Sequence, residues 1–129
     1  MSLLAANSRA LRVLLVEDSP ALQEALGGVM RGLGRVRVLQ VADTAAEALR
    51  LLAASPPDLV ILDLALREGS GLEVLARVRA EHPGCRVLVF TSHDGEAIRQ
   101  HCLTAGADRF YSKSRQHREL LADLRETCG

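Results

Sequence analysis

Three carboxylates follow two short apolar runs of this chain, and groups of this kind can bind a hard cation together. Residues 13–16 lead into Glu17 and Asp18, and residues 59–62 lead into Asp63. Carboxylates that crowd into one small site repel one another unless a cation neutralises them. Mg²⁺ does so with oxygen ligands and keeps positions free for phosphate oxygens. Beside such an ion, Asp63 could attack phosphorus as a nucleophile and form an aspartyl phosphate.

Two further strand-like runs end at groups that suit contact with a transferred phosphoryl group. Residues 86–90 lead into Thr91, and residues 108–112 lead into Lys113. A hydroxyl and an ammonium group would stabilise the charge on the phosphoryl oxygens. Each of these residues alone is more often a helix cap, a turn residue or a solvated surface group. Their joint occurrence, each at the end of its own run, favours one shared site.

Segments of helical period separate the strand-like runs, which predicts five repeats of a strand and a helix. Ser19 followed by proline is typical of a helix start, and the capping-box pattern occurs at residues 44–47 and 70–73. Two further helices are predicted over about residues 94–105 and 114–127. Strands joined by crossover helices imply a parallel sheet with helices on both faces.

The polarity of each strand-like run predicts its place in the sheet. Residues 35–41 partly alternate between polar and apolar, as an edge strand does, whereas the first and third runs are almost wholly apolar and suit central positions. A doubly wound, flavodoxin-like α/β fold, a three-layer (βα)5 sandwich with strand order 2-1-3-4-5, satisfies both observations. Its ligand site lies at the carboxyl ends of strands 1 and 3.

Composition narrows the classes of partner and of location. The chain has 16 basic and 16 acidic residues, and its three aromatic side chains provide no stacking platform for nucleic acid. Three widely spaced cysteines indicate neither a disulfide framework nor a zinc site, which favours a reducing cytoplasm. The sequence has no apolar stretch of membrane-spanning length and no signal-peptide pattern. Residues 1–10 are predicted to be an N-terminal extension of one domain over residues 11–127.

At its candidate site residues the chain resembles the receiver domain of two-component response regulators. The resemblance covers nearly the whole chain, from about residue 11 to residue 127. The residues that carry it are the acidic pair Glu17-Asp18, Asp63 with Gly71 eight residues later, Thr91-Ser92 and Lys113.

The resemblance implies a role for each of these side chains. Asp63 would be the phosphoacceptor, and Mg²⁺ would be bound by Glu17, Asp18, Asp63 and the backbone carbonyl of Ala65. A receiver is a signalling switch that catalyses its own phosphorylation and dephosphorylation and is not an enzyme with an external substrate.

The resemblance also assigns the groups that would respond to the phosphoryl group. Thr91 would be the switch hydroxyl, Lys113 the ammonium that senses phosphate, and Phe110 the aromatic residue that turns inward. The surface of helix 4, strand 5 and helix 5 would then change its affinity for a partner.

Expected partners follow from the same resemblance. The phosphoryl donor would be a phosphohistidine of a sensor histidine kinase or of a phosphotransfer protein. The output would pass to a downstream protein or an output domain that is not in this sequence, and a homodimer through helix 4, strand 5 and helix 5 is possible. Direct contact of this domain with nucleic acid or a membrane is not expected.

The residues at three positions affect how this chain would behave as a receiver. Ser114 stands where receivers commonly have a proline that is joined to the lysine by a cis peptide, and cis costs about 2.5 to 4 kcal/mol before a residue other than proline. Ala65 cannot hold a water molecule in line with phosphorus, which predicts a long-lived aspartyl phosphate. His93 could orient such a water or shield the phosphoryl oxygens, so Ala65 and His93 are predicted to tune dephosphorylation.

Two other classes of protein compete with the receiver. Phosphatases of the haloacid dehalogenase type also use an aspartate and Mg²⁺, but they need a second acid where this chain has Ala65. A phosphate-independent binding module on a receiver scaffold usually lacks the aspartate, the acidic pair or the lysine, and this chain has them all. Only Ser114 favours that second alternative.

Overall fold

The computed structural model describes residues 9–129, which fold into one five-stranded parallel sheet with helices on both faces. The observed strand order, β2-β1-β3-β4-β5, confirms the predicted one. Of the predicted N-terminal extension, residues 1–8 lie outside the described part. The elements in chain order are β1 (Leu11–Val16), α1 (Pro20–Arg31), β2 (Val36–Ala42), α2 (Ala45–Ala54), β3 (Leu59–Leu62), α3 (Gly71–Glu81), β4 (Arg86–Thr91), α4 (Glu96–Thr104), β5 (Arg109–Ser112) and α5 (His117–Cys128).

Two apolar layers cover the sheet, and β3 contributes to both. Val60 and Leu62 pack in the layer beneath α2, α3 and α4. Leu59 and Ile61 pack in the layer beneath α1 and α5. A central strand of a doubly wound sheet buries both of its faces, which explains why this run is apolar without interruption. Within residues 9–129, the edge strand β2 pairs with β1 alone and is more exposed.

The predicted helix starts are present, and they differ in how completely they are capped. The Ser70 side chain and the Glu73 carboxylate form a full capping box at α3. Thr44 caps α2 by accepting a hydrogen bond from the Glu47 amide, but the Glu47 carboxylate pairs with Arg50 instead of closing the box. The sequence pattern therefore predicted both helix starts. The capping box is incomplete at α2 because Arg50 binds the Glu47 carboxylate.

The last two helices begin later than the sequence pattern predicted. Helix α4 begins at Glu96 behind Gly95, and α5 begins at His117 rather than near residue 114. Residues 112–116 form a turn instead, in which the Gln116 amide donates to the Ser112 carbonyl at 2.8 Å and the Gln116 side chain accepts from the Ser112 amide at 2.9 Å. Among the described residues, none of these helices is long and apolar enough to cross a membrane.

Candidate functional site

The three predicted metal ligands meet at the carboxyl ends of β1 and β3. Each of Glu17, Asp18 and Asp63 offers a carboxylate oxygen, and these atoms all lie within 4.8 Å of one another. Glu17 and Asp63 are only 2% and 5% exposed, whereas Asp18 is half-buried. Parallel strands that end at the same level place residues 46 positions apart in the sequence side by side, and the structure brings these three carboxylates together.

Backbone hydrogen bonds hold the acidic cluster in place. The Glu17 amide donates to the Ala42 carbonyl of β2, and the Asp63 amide donates to the Val16 carbonyl of β1, both at 2.9 Å. One supporting side chain was missed from the sequence: Gln23 donates from its amide group to the Glu17 carbonyl at 2.6 Å. Its position in the first turn of α1, six residues after Glu17, was the one feature of the sequence that could have indicated this contact.

Lys113 reaches across the site and binds two of the carboxylates. Its Nζ lies 2.8 Å from Asp63 Oδ2 and 2.9 Å from Glu17 Oε1. Burial alone would lower the pKa of the Lys113 ammonium, but its hydrogen bonds to Asp63 and Glu17 outweigh that effect and raise the pKa above its ordinary value. The ammonium group therefore stays charged and neutralises part of the acidic cluster.

Thr91 lies beside Lys113 at the end of β4 and is fully buried. Its Oγ1 accepts a hydrogen bond from the His93 amide at 3.2 Å, and its carbonyl accepts from the Lys113 amide at 2.9 Å. The His93 side chain is exposed. Phe110 is 7% exposed and already packs in the apolar layer near α4, so any inward movement of this ring would start from a buried position.

The loop after Asp63 owes its shape to Gly71. The Gly71 amide donates to the Leu64 carbonyl at 3.0 Å, and a Cβ on Gly71 would overlap the Asp63 carbonyl and approach the Leu64 Cα to 2.9 Å. Only glycine permits this close approach of two backbones. Asp63 Oδ1 accepts from the amide of Ala65, whose own side chain is exposed.

The loop after Lys113 contains no cis peptide, because every peptide bond of the described residues is trans. Ser114 instead joins a hydrogen-bonded cluster with Ser112 and Asp94. Asp94 was predicted only as the start of a helix, and no role was predicted for Ser112. No specific signal for this cluster was present in the sequence, because β5 ends at Ser112 and the side-chain alternation of a strand does not extend into the turn that follows.

The carboxylate cluster fits a hard divalent cation. Three oxygen donors converge from two strands, two of them buried, and Mg²⁺ prefers one or more carboxylates of this kind. Since the Lys113 ammonium contacts two of the three carboxylates, a cation bound there would compete with it for their oxygens.

A family model for the response regulator receiver domain matches residues 13–125. The chain belongs to this family. The receiver is 34% identical over 120 residues to the probable transcriptional regulatory protein TcrX of Mycobacterium tuberculosis, which is 93% of this chain and 50% of TcrX. It is 35% identical over 114 residues to the response regulator MprA of Mycolicibacterium vanbaalenii, which is 88% of this chain and 48% of MprA.

A solved structure supports the same assignment. The receiver resembles the two-component response regulator of the LuxR family from Aurantimonas sp. SI85-9A1 with a TM-score of 0.80 at 31% identity, over 91% of this chain and 84% of that one. The receiver spans about half the length of the curated relatives named above. It is thus a signalling domain of a two-component system.

Proposed function

We propose that this receiver accepts a phosphoryl group on Asp63 and that the modification switches its surface. The observation that supports the proposal is the convergence of Glu17, Asp18 and Asp63 with the Lys113 ammonium at one end of the sheet. A carboxylate nucleophile beside an acidic metal site and a fixed cation has what phosphoryl transfer requires, which is positioning and charge stabilisation.

The transfer moves one phosphoryl group from nitrogen to oxygen. A carboxylate oxygen of Asp63 attacks the phosphorus of a phosphohistidine, an oxygen–phosphorus bond forms and the phosphorus–nitrogen bond breaks. The bonding electrons leave with the imidazole nitrogen. Lys113 stabilises the phosphoryl oxygens from the β5 side, and Glu17, Asp18, Asp63 and the Ala65 carbonyl would hold Mg²⁺, which supplies further charge neutralisation.

Switching would follow from the new charge on Asp63. The Thr91 hydroxyl, which accepts from the His93 amide in this structure, would turn towards the phosphoryl oxygens. The loop between β4 and α4 would move with it, and the ring of Phe110 would settle into the space released. The surface of α4, β5 and α5 would change its affinity for a partner because these elements carry or adjoin the moving residues.

The proposed partners are a sensor histidine kinase or phosphotransfer protein as donor, and a downstream protein or an output domain as target. The two relatives named above are regulators about twice as long as this chain. A homodimer through α4, β5 and α5 is a further proposal. A cytoplasmic location stays a prediction, and it agrees with the three free, buried cysteines.

The decisive test is phosphorylation with a small donor. The protein is incubated with acetyl phosphate and Mg²⁺, and its intact mass is measured. We expect one phosphate adduct in the wild type and in Asp58→Asn, a control at the opposite end of β3, and none in Asp63→Asn. An adduct that persists in Asp63→Asn would remove this residue from the phosphoacceptor role. A wild type that takes up no phosphate from any donor would favour the phosphate-independent binding module.

A further inference from the structure

The carboxylate of Asp94 joins the loop after β4 to the end of β5. Ser112 donates a hydrogen bond from its hydroxyl to Asp94 Oδ2, and Ser114 donates to the same oxygen at 3.3 Å. The two hydroxyl oxygens lie 3.1 Å apart. These three side chains, Asp94, Ser112 and Ser114, are called the serine latch below.

The latch connects a fixed part of the molecule to a part that the proposed switch must move. Ser112 is 1% exposed and pairs with Thr91 in the ladder of β4 and β5, so the sheet holds it in place. Asp94 lies three residues after Thr91, in the segment between β4 and α4. Thr91 itself supports this segment through the hydrogen bond that the His93 amide donates to the Thr91 hydroxyl.

Asp94 is not explained by helix capping. The N-cap of α4 is Gly95, which makes no side-chain capping bond, and the Asp94 carboxylate is directed to the two serines instead. The hydrogen bond from Ser112, followed by that from Ser114, lowers the pKa of Asp94 below its ordinary value, so the group is an ionised acceptor at neutral pH. A buried hydroxyl such as that of Ser112 needs this acceptor, because an unpaired polar group in the interior is costly.

We propose that the serine latch restrains the loop of Thr91 in its unphosphorylated position and that Asp94 is the positioning residue of this restraint. The inference rests on the proposed role of Asp63 as phosphoacceptor. An interaction made in only one of two arrangements shifts the equilibrium towards that arrangement. When Thr91 turns towards the phosphoryl group, the segment that carries Asp94 moves away from Ser112, and the latch bonds are lost. The latch therefore opposes activation.

The test uses beryllofluoride with Mg²⁺ as a mimic of the phosphoryl group, and its affinity is measured by fluorine NMR. We expect Asp94→Ala to bind the mimic about fivefold more tightly than the wild type, a ratio at the lower end of typical coupling between sites. Ser114→Ala, which removes the more exposed latch bond, should change affinity in the same direction by a smaller factor. Glu96→Gln is the matched control, since it removes a negative charge two residues later without touching the latch, and its affinity should equal that of the wild type.

Amide hydrogen exchange of the protein without metal or mimic tests the restraint separately. The His93 amide should exchange faster in Asp94→Ala than in the wild type, while amides in β1 and β3 should not change. Unchanged His93 exchange, or a mimic affinity in Asp94→Ala that is equal or weaker, would overturn the latch. If even the wild type fails to bind the mimic, the proposed function fails, and the exchange measurement on Asp94→Ala and Ser114→Ala still decides whether the restraint exists.

Discussion

The two halves of the site are held by different kinds of contact. In the acidic half, which comprises Glu17, Asp18 and Asp63, backbone hydrogen bonds to neighbouring strands fix the positions of Glu17 and Asp63. In the switch half, which comprises Thr91 and Lys113, one backbone hydrogen bond joins the two residues, and the loops that follow them are joined by side chains, including the serine latch.

This difference suits the two tasks that the halves would have. A metal site needs ligands whose positions do not change, and a backbone ladder between buried strands provides that rigidity. A switch needs two arrangements of similar free energy, and side-chain hydrogen bonds between loops can be exchanged for others without breaking the sheet. Lys113 links the halves, because its ammonium belongs to one and binds the carboxylates of the other.

Gly71→Ala should have the largest effect, because it would distort the loop that follows Asp63 in the acidic half. The new Cβ would overlap the Asp63 carbonyl and press on the Leu64 Cα, so we expect the free energy of unfolding to fall by about 2 to 3 kcal/mol. Urea denaturation measures this change. The control is Gly28→Ala in α1, where a Cβ meets no atom within 4 Å and should raise stability by about 0.5 to 1 kcal/mol. Equal effects of the two substitutions would show that the loop after Asp63 is not rigid.

Asp18→Ala should have the next largest effect, since it removes one oxygen donor from the acidic half. We expect the wild type to bind Mg²⁺ in the millimolar range or somewhat tighter, and the variant to bind about tenfold more weakly. Titration calorimetry with MgCl₂ measures both affinities. Glu24→Ala, on the exposed side of α1, controls for the loss of one negative charge. Unchanged affinity in Asp18→Ala would exclude this carboxylate from the metal site.

The pH dependence of stability tests how β5 is anchored in the switch half. Burial, followed by the hydrogen bond and charge of Asp123, raises the pKa of Tyr111, the only tyrosine, above its ordinary value of about 10. The unfolded chain releases this proton first as pH rises, so the contribution of Tyr111 to stability is complete below about pH 10 and is lost above it.

Asp123→Asn should make that loss shallower and should cost about 1 kcal/mol of stability at neutral pH. Denaturation at several pH values, together with the tyrosinate absorbance of the folded protein, provides the measurement. Tyr111→Phe identifies the contribution of other groups that titrate at high pH. Ionisation of Tyr111 in the folded protein near its ordinary pKa would contradict the proposed anchoring.

Ala65→Asn should have the smallest effect, and it acts at the edge of the acidic half. The Ala65 side chain is exposed, so an amide there could hold a water molecule in line with the phosphorus and shorten the lifetime of the aspartyl phosphate by about threefold. Phosphate loss over time is compared among the wild type, Ala65→Asn and His93→Ala. A lifetime unaffected by Ala65→Asn would mean that access of water is controlled elsewhere.

The sequence by itself determined the strand order and the position of the acidic half. An uninterrupted apolar run such as residues 59–62 requires burial on both faces, and parallel strands bring the residues at their carboxyl ends together. The start of α3 could also be predicted from neighbouring residues, because the capping box at Ser70 and Glu73 satisfies amides within one helical turn. Each of these features depends on neighbours in the sequence or on a rule that applies to every sheet of this kind.

Only the tertiary structure decided how the switch half is held. Lys113 and Asp63 are 50 residues apart in the sequence, and the choice of Asp94 as partner for Ser112 and Ser114 depends on how two loops pack. The same packing delayed the start of α5 to His117, since the side chain of Gln116 binds the Ser112 amide. Hydrogen bonds between side chains of different loops have no period and no fixed spacing, so they form only where the folded backbone brings donor and acceptor into range.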